Sequence, residues 1–364
     1  VLALDVKRES LEEYLKSIYG RQVELKGIRK MGETVATQED VKGFGYGSPL
    51  MVEYVKEGRN ISAVLSTMRI QQGFGHDHFS DRAGILIWQN DAFPRLPKHV
   101  ASLDVGYFTA DGRLVSAGEA EEYFLLMEMA EGREYFYDLD RVKENGAEKL
   151  DRERALALSS YLAEIHSTKL DCPALYQRKI RDTVGHGECI FGIFDDYPED
   201  PDFLEKGELC RIEKLCVDWR WKLRGRAHRL CQVHGDFHPW NVMFREGTDF
   251  TVLDRSRGEW GEAADDLTAM AMNYIFYSVQ KHGRLTGDLQ ELFELFFENY
   301  LDITQDHELL EVIAPFFAFR AAVVASPTWY PLLSGQTRRI LFNFLENVLR
   351  SKRFDYRDVN SYLK

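Results

Sequence analysis

The chain runs to 364 residues, 45% of them hydrophobic and 29% charged, which excludes a disordered polypeptide and leaves room for two lobes. With 46 Lys and Arg against 59 Asp and Glu, the formal charge of −13 argues against nucleic acid as the main partner. No apolar run approaches the length of a membrane span, and the opening Val1-Leu2-Ala3-Leu4-Asp5-Val6-Lys7-Arg8 is too short and too soon charged for a signal peptide, so no membrane partner and a cytoplasmic location are expected.

Leu11, Tyr14, Leu15 and Ile18 recur at spacings of three and four, with Gly20 following, which predicts an amphipathic opening helix. The pattern then turns to strands over residues 23–28, 49–55 and 61–68. Glu57-Gly58-Arg59-Asn60 between the last two predicts a hairpin turn. Just before the second strand lies Lys42-Gly43-Phe44-Gly45-Tyr46-Gly47-Ser48. Gly43, Gly45 and Gly47 would let backbone N–H groups approach anionic oxygens closely, although such a turn between strands is common by itself. A helix is expected near residues 80–92. The apolar run within residues 122–132 reads as a core strand ended by Gly132.

The remainder is mostly helical. Ala155, Leu158, Leu162 and Ile165 form one stripe ending at His166, and Leu209, Ile212, Leu215, Cys216 and Trp219 form another. Residues 176–188 carry several cations, a His and a Glu beside two glycines. They read equally as a substrate-recognition insert or as a solvated helix end. Leu267, Met270, Ala271, Tyr274 and Ile275 predict a further helix, and others are expected near 288–301, 307–325 and 336–349, with a break at 327–331. The five cysteines are odd in number and lack Cys-x-x-Cys spacing, so scattered free thiols are expected rather than disulfides or a zinc site.

Between those helices lies Val233-His234-Gly235-Asp236-Phe237-His238-Pro239-Trp240-Asn241-Val242-Met243-Phe244. Two apolar runs, 242–244 and 250–253, flank a turn-like segment, so the stretch reads as a loop feeding a hairpin. The return strand ends on Leu253-Asp254, which delivers a second carboxylate close to Asp236 and Asn241. Phosphoryl transfer from a nucleotide needs this set: a carboxylate to accept the proton of the attacking hydroxyl, and hard oxygen ligands for Mg²⁺. Asp236 and Asn241 have the five-residue spacing of the protein-kinase catalytic loop. His234 and His238 are expected to shape the loop through hydrogen bonds.

The wording His-Gly-Asp-Phe-His-Pro-Trp-Asn resembles the loop of the aminoglycoside phosphotransferase and choline kinase superfamily. Leu253-Asp254 followed by Gly261-Glu262-Ala263-Ala264-Asp265-Asp266-Leu267 is similar to its metal-binding Asp and the downstream Gly-Asp-Pro-x-x-Asp-Leu segment. The resemblance spans roughly residues 30–330, with specific motifs only at 234–267. It implies an α+β, bilobal protein-kinase-like fold: a small, mainly antiparallel β N-lobe over residues 1–131 and a larger helical C-lobe over 132–364.

It further implies ATP- and Mg²⁺-dependent phosphorylation of a small-molecule hydroxyl, on an aminoglycoside-like compound, an amino alcohol or a sugar, with GTP open as donor. Asp236 would be catalytic, and Asn241 and Asp254 would hold the metal. Gly43, Gly45 and Gly47 would cover the phosphates, while the Glu128 carbonyl and the Ala130 N–H would face the purine. Asp266 would support the loop. The family's phosphate-binding Lys is missing from the third strand, where Arg69 is the sole cation, and its Glu partner is missing from the next helix. Two alternatives stay open at this point. One is a nucleotide-binding scaffold that has lost catalysis. The other is a protein kinase, disfavoured by the absence of His-Arg-Asp, Asp-Phe-Gly and Ala-Pro-Glu segments.

Overall fold

The opening helix, α1 (Arg8–Tyr19), stops where Gly20 takes φ 91° and donates back to the Lys16 carbonyl. Its apolar stripe puts Leu11 and Leu15 into a small core with Val23, Leu25, Val52 and Tyr54. Those partners come from or beside β1 (Glu24–Lys30) and β2 (Leu50–Lys56), which with β3 (Arg59–Leu65) form a three-stranded antiparallel sheet in the order β1-β2-β3. Lys56 faces Arg59, so the hairpin turn is Glu57-Gly58 alone, and both residues have positive φ as a tight two-residue turn requires. A helix, α2 (Phe79–Ala92), follows, capped reciprocally by His78 and Asp81. The short hairpin of β4 (Gly106–Phe108) and β5 (Leu114–Ser116) comes next.

This is a computed structural model that describes residues 6–31, 49–68 and 75–364, and the chain divides into two units, Val1–Met127 and Glu128–Lys364. Gly43, Gly45, Gly47 and Arg69 lie outside the described residues. The strand expected within residues 122–132 does not form. Its backbone meets no partner edge among the described residues, and Phe124, Leu125, Leu126 and Met129 stay exposed. An apolar run becomes a strand only when a neighbouring backbone completes its ladder.

The second unit opens with β6 (Arg133–Glu134), then α3 (Phe136–Asn145), α4 (Lys149–His166), α5 (Pro173–Gly185), α6 (Ile190–Asp195) and α7 (Glu208–Leu223). Four short strands follow: β7 (Cys231–Gln232), β8 (Val242–Phe244), β9 (Phe250–Val252) and β10 (Trp260–Gly261). They make a β6-β8-β9 sheet and a β7–β10 ribbon, both antiparallel. The chain closes with α8 (Ala263–His282), α9 (Gly287–Thr304), α10 (Leu309–Val312), α11 (Ala314–Ala325), α12 (Gly335–Arg350) and α13 (Val359–Tyr362). Nearly every side chain of α8 and α11 is buried, so these two helices are apolar all round and form the centre of the unit. The single helix expected over 307–325 is two helices, because Pro315 in the first turn of α11 has no N–H with which to continue α10.

The chain is therefore of the α+β class expected from its sequence. All five cysteines are free thiols. Among the described residues no helix is long and apolar enough to cross a membrane.

A buried ion network holds the ribbon that carries the loop. Arg229, just ahead of β7, donates to Glu262 at 2.7 Å, Asp306 at 2.8 Å and Glu308 at 3.2 Å, and Tyr176 donates to Glu262 at 2.9 Å. Glu308 also meets Arg226 and His228. Burial raises the Glu308 carboxyl, but hydrogen bonds from His228, Arg229 and Arg226 prevail and bring it down to about 2. A depressed carboxylate stabilises the fold above its unfolded value of 4.5 and loses that contribution as pH falls toward about 2. Glu308→Gln is thus expected to flatten the acid limb of a stability-versus-pH curve measured by urea unfolding. A curve with the wild-type slope below pH 4.5 would contradict this.

Candidate active site

The β7–β10 ribbon, with Gln232 opposite Trp260, delivers the chain into the loop at Val233, whose N–H bonds the Glu259 carbonyl at 3.0 Å. Gly235 then takes φ 90°. The handedness favours glycine, and a Cβ there would lie a tight 3.2 Å from the Arg257 Cβ. Asp266, in the first turn of α8 and fully enclosed, accepts the N–H of His234 and of Gly235, each at 2.7 Å. The His166 ring faces the same carboxylate at 3.1 Å and is fixed on its far side by the Tyr300 hydroxyl at 2.9 Å. Burial pushes the Asp266 carboxyl up, yet His166, His234 and the backbone N–H bonds leave it below its ordinary value.

Both loop histidines bond the backbone two residues on. The Nδ1 of His234 accepts the Asp236 N–H at 3.2 Å, and that of His238 accepts the Trp240 N–H at 3.3 Å, starting a single 3₁₀ turn over Pro239–Asn241. Burial drives the His234 ring toward its neutral form. These bonds fix the path of the loop through Asp236.

Asp236 itself is gripped from α11. Arg320 donates to Asp236 Oδ1, to the Gly235 carbonyl at 3.2 Å and to Asp265 Oδ1 at 2.6 Å. The other carboxylate oxygen lies 3.5 Å from His238 Nε2. Burial opposes ionisation of Asp236, but Arg320, the nearby His238 ring and Arg257 outweigh it and hold the carboxyl well below the usual carboxylate range. Burial pushes Asp265 the other way, against the pull of Arg320 and Arg257.

Asn241 donates through Nδ2 to the Asp236 carbonyl at 3.1 Å, an amide orientation assigned by this network, and its own carbonyl accepts the Leu253 N–H at 2.9 Å. The β8–β9 hairpin, with Val242 opposite Val252, therefore ends with Asp254 one residue beyond a direct bond to Asn241. Asp254 is exposed, has φ 54°, and makes no hydrogen bond or ion pair among the described residues. A non-glycine residue in the left-handed region carries strain of about 1–3 kcal/mol, and aspartate is among the residues that visit that region most readily. Among the described residues no group of three or more His, Cys, Asp and Glu could hold a metal.

Residues 176–188 are mostly α5, with Tyr176, Ile180 and Val184 buried. Lys179 donates to the Arg257 carbonyl at 2.6 Å, and Arg257 reaches the Glu188 carbonyl at 3.4 Å. The segment thus packs on the turn that follows Asp254. Glu128 and Ala130 lie in the irregular stretch ahead of β6, where their backbone groups make no hydrogen bond among the described residues. Sequence reading missed Arg320, Asp265 and His166. Arg320 had one usable signal: a lone cation within Ala-Pro-Phe-Phe-Ala-Phe-Arg-Ala-Ala-Val-Val-Ala has to find a buried anion.

Among solved structures, an amicoumacin kinase in complex with AMP-PNP, Ca²⁺ and its ligand is similar at 15% identity, with 97% of each chain covered and a TM-score of 0.42. An ethanolamine kinase of Plasmodium vivax is similar at 12% identity, covering 98% of this chain and 88% of that one, with a TM-score of 0.36. A choline kinase from Cryptosporidium parvum gives 10% identity, 98% and 92% coverage and a TM-score of 0.34. Likeness at this level assigns no substrate. No curated protein matches the sequence. The model of the phosphotransferase enzyme family matches residues 98–293, more than half of the chain and the whole of the Asp236 loop and its hairpin, and the chain belongs to that family.

Proposed function

We propose that this phosphotransferase moves the γ-phosphoryl group of ATP, with Mg²⁺, to a hydroxyl of a small molecule of the aminoglycoside, amino-alcohol or sugar kind. One observation carries the reading: a gripped carboxylate at Asp236 and one at Asp254 that has no ion pair among the described residues are linked through the backbone and amide of Asn241. In the reaction the bond from the γ-phosphorus to the bridging oxygen breaks and one to the acceptor oxygen forms. The nucleoside diphosphate leaves, and Asp236 takes the acceptor proton. A carboxylate held so far down is a weak base. That suits a loose transition state, in which the nucleophile needs orientation more than early deprotonation.

The donor set at Asn241 and Asp254 fits Mg²⁺, which prefers hard oxygens and is usually bound through one or two carboxylates, with phosphates and water completing its shell. When bound, the ion would draw charge from the phosphate oxygens. On the nucleotide side, Gly43, Gly45, Gly47 and Arg69 are proposed for the phosphates, and the backbone of Glu128 and Ala130 for the base, with GTP as the alternative donor.

Asp254→Ala tests the metal assignment. It is expected to weaken Mg²⁺-dependent nucleotide binding by at least the roughly 10–100-fold that losing even an outer-shell partner costs. Calorimetric titration with and without Mg²⁺ would measure this, beside a screen of amines, sugars and aminoglycosides for acceptor-dependent ADP release. Unchanged Mg²⁺-nucleotide affinity in the variant would remove Asp254 from the metal site.

A further inference from the structure

Resting on the phosphotransfer reading, we propose that Arg320 is the positioning residue for Asp236, fixing its carboxylate so that Oδ2 is the oxygen offered to the acceptor hydroxyl. Arg320 lies 84 residues beyond Asp236, on α11, outside the stretch that matches the family model. Arg320 is 6% exposed, so burial of its charge must be compensated, and its hydrogen bonds go to Asp236, Gly235 and Asp265. It holds Asp236 Oδ1, the Gly235 carbonyl directly before it, and Asp265, whose neighbour Asp266 bonds the loop backbone from below.

The geometry does more than neutralise a charge. Binding the Gly235 carbonyl fixes where the Asp236 backbone starts, and binding Oδ1 fixes how the side chain is turned. With Oδ1 taken, an approaching hydroxyl meets Oδ2, beside His238 Nε2 at 3.5 Å. The fork also packs on an aromatic face: the ring of Phe319, a residue 1% exposed, lies 4.6 Å from the Arg320 guanidinium and 4.9 Å from that of Arg257. The planar fork serves a carboxylate, a carbonyl and a second carboxylate in one fixed geometry, whereas a lysine ammonium carries three donors on a compact, flexible point charge without that spread. A residue that fixes a carboxylate in this way governs how often a bound acceptor sits in line for transfer, and a displacement of about 1 Å is enough to cost about 10²-fold.

The test uses Arg320→Gln, Arg320→Lys and Asp265→Asn in the full chain with the acceptor found by the ADP-release screen, all rates being normalised to the folded fraction from thermal unfolding. Arg320→Gln is expected to lower kcat about 10²-fold while nucleotide affinity and acceptor KM change by less than about threefold, with more phosphate lost to water per phosphate transferred. Arg320→Lys should recover part of kcat, and Asp265→Asn should show the same trend to a smaller degree. If Arg320→Gln does not fold, the other two variants carry the test. A merely structural arginine would change the folded fraction and leave kcat and the transfer-to-hydrolysis ratio of the folded protein at wild-type values, and that result overturns the proposal. Asp236→Asn and the double variant run in parallel separate the two readings. Non-additive losses support positioning through Asp236. A dead Asp236→Asn beside a fully active Arg320→Gln sinks the arginine alone, and a fully active Asp236→Asn sinks the loop assignment with it.

Discussion

Asp236→Asn is expected to lower phosphoryl transfer by about 10²–10⁴-fold while nucleotide binding persists. The size of the loss follows from what the amide can still do in this site. Its single oxygen is claimed by Arg320, the donor that grips Oδ1 in the native protein. The amide nitrogen is then left on the acceptor side, where it presents N–H groups to a hydroxyl that needs an acceptor for its proton. Arg320 keeps Asp265 as a counter-charge at 2.6 Å, so the fold is expected to survive with a cost on the order of 1.5–3 kcal/mol for a weakened charge-assisted bond. The measurement is transfer to an identified acceptor, with Mg²⁺-nucleotide binding followed beside it. Equal transfer rates in the two proteins would take the loop at 234–241 out of the chemistry.

What could be read in advance was what sequence separation makes cheap to specify. Asp236, Asn241 and Asp254 lie within one loop and one hairpin, where the chain itself dictates proximity, and the backbone bond from Leu253 to Asn241 realises it. The same holds for β1, β2 and β3 and for the helices with clean stripes, since one period and one turn suffice to define each. Arg320 and His166 belong to the other kind. Arg320 reaches the loop, and His166 reaches the Asp266 carboxylate beneath its backbone bonds, across many tens of residues through helix packing, and nothing in the local pattern of Ala314–Ala325 or Lys149–His166 names the partner.

The strand that does not form and the segment that reads two ways have the same origin. Residues 122–132 look like a strand because apolar character is local, but a ladder depends on a second backbone. The 176–188 segment seemed open to two readings because Lys179 and Tyr176 find their partners, the Arg257 carbonyl and Glu262, in residues more than 75 positions away. Consistency at short range therefore brings Asp236, Asn241 and Asp254 into one loop and hairpin, and the long-range contacts of Arg320 and Asp266 hold that loop in place.

Asp266→Ala should cost more in stability than Asp236→Asn and should disable the loop as well. The carboxylate has no exposure and accepts from two backbone N–H groups at 2.7 Å and from His166 at 3.1 Å. Alanine leaves both N–H groups buried without an acceptor, at about 1–3 kcal/mol each, and strips His166 of its anion. A loss of about 2–6 kcal/mol is expected by urea unfolding. Asp266→Asn keeps one oxygen but turns an N–H toward a donor, so it should fall between alanine and wild type. The pH dependence has a definite sign. The folded carboxyl lies below its ordinary value, so its contribution is present above the unfolded value of 3.8 and is lost as pH falls below it. Wild type should accordingly lose its margin over Asp266→Asn in acid, and the two stability curves should converge as the pH is lowered. Because Gly235 sits between this carboxylate and Arg320, transfer by the folded fraction of either variant should drop as well. A variant with native stability and a margin independent of pH would mean that the loop is held by something other than α8.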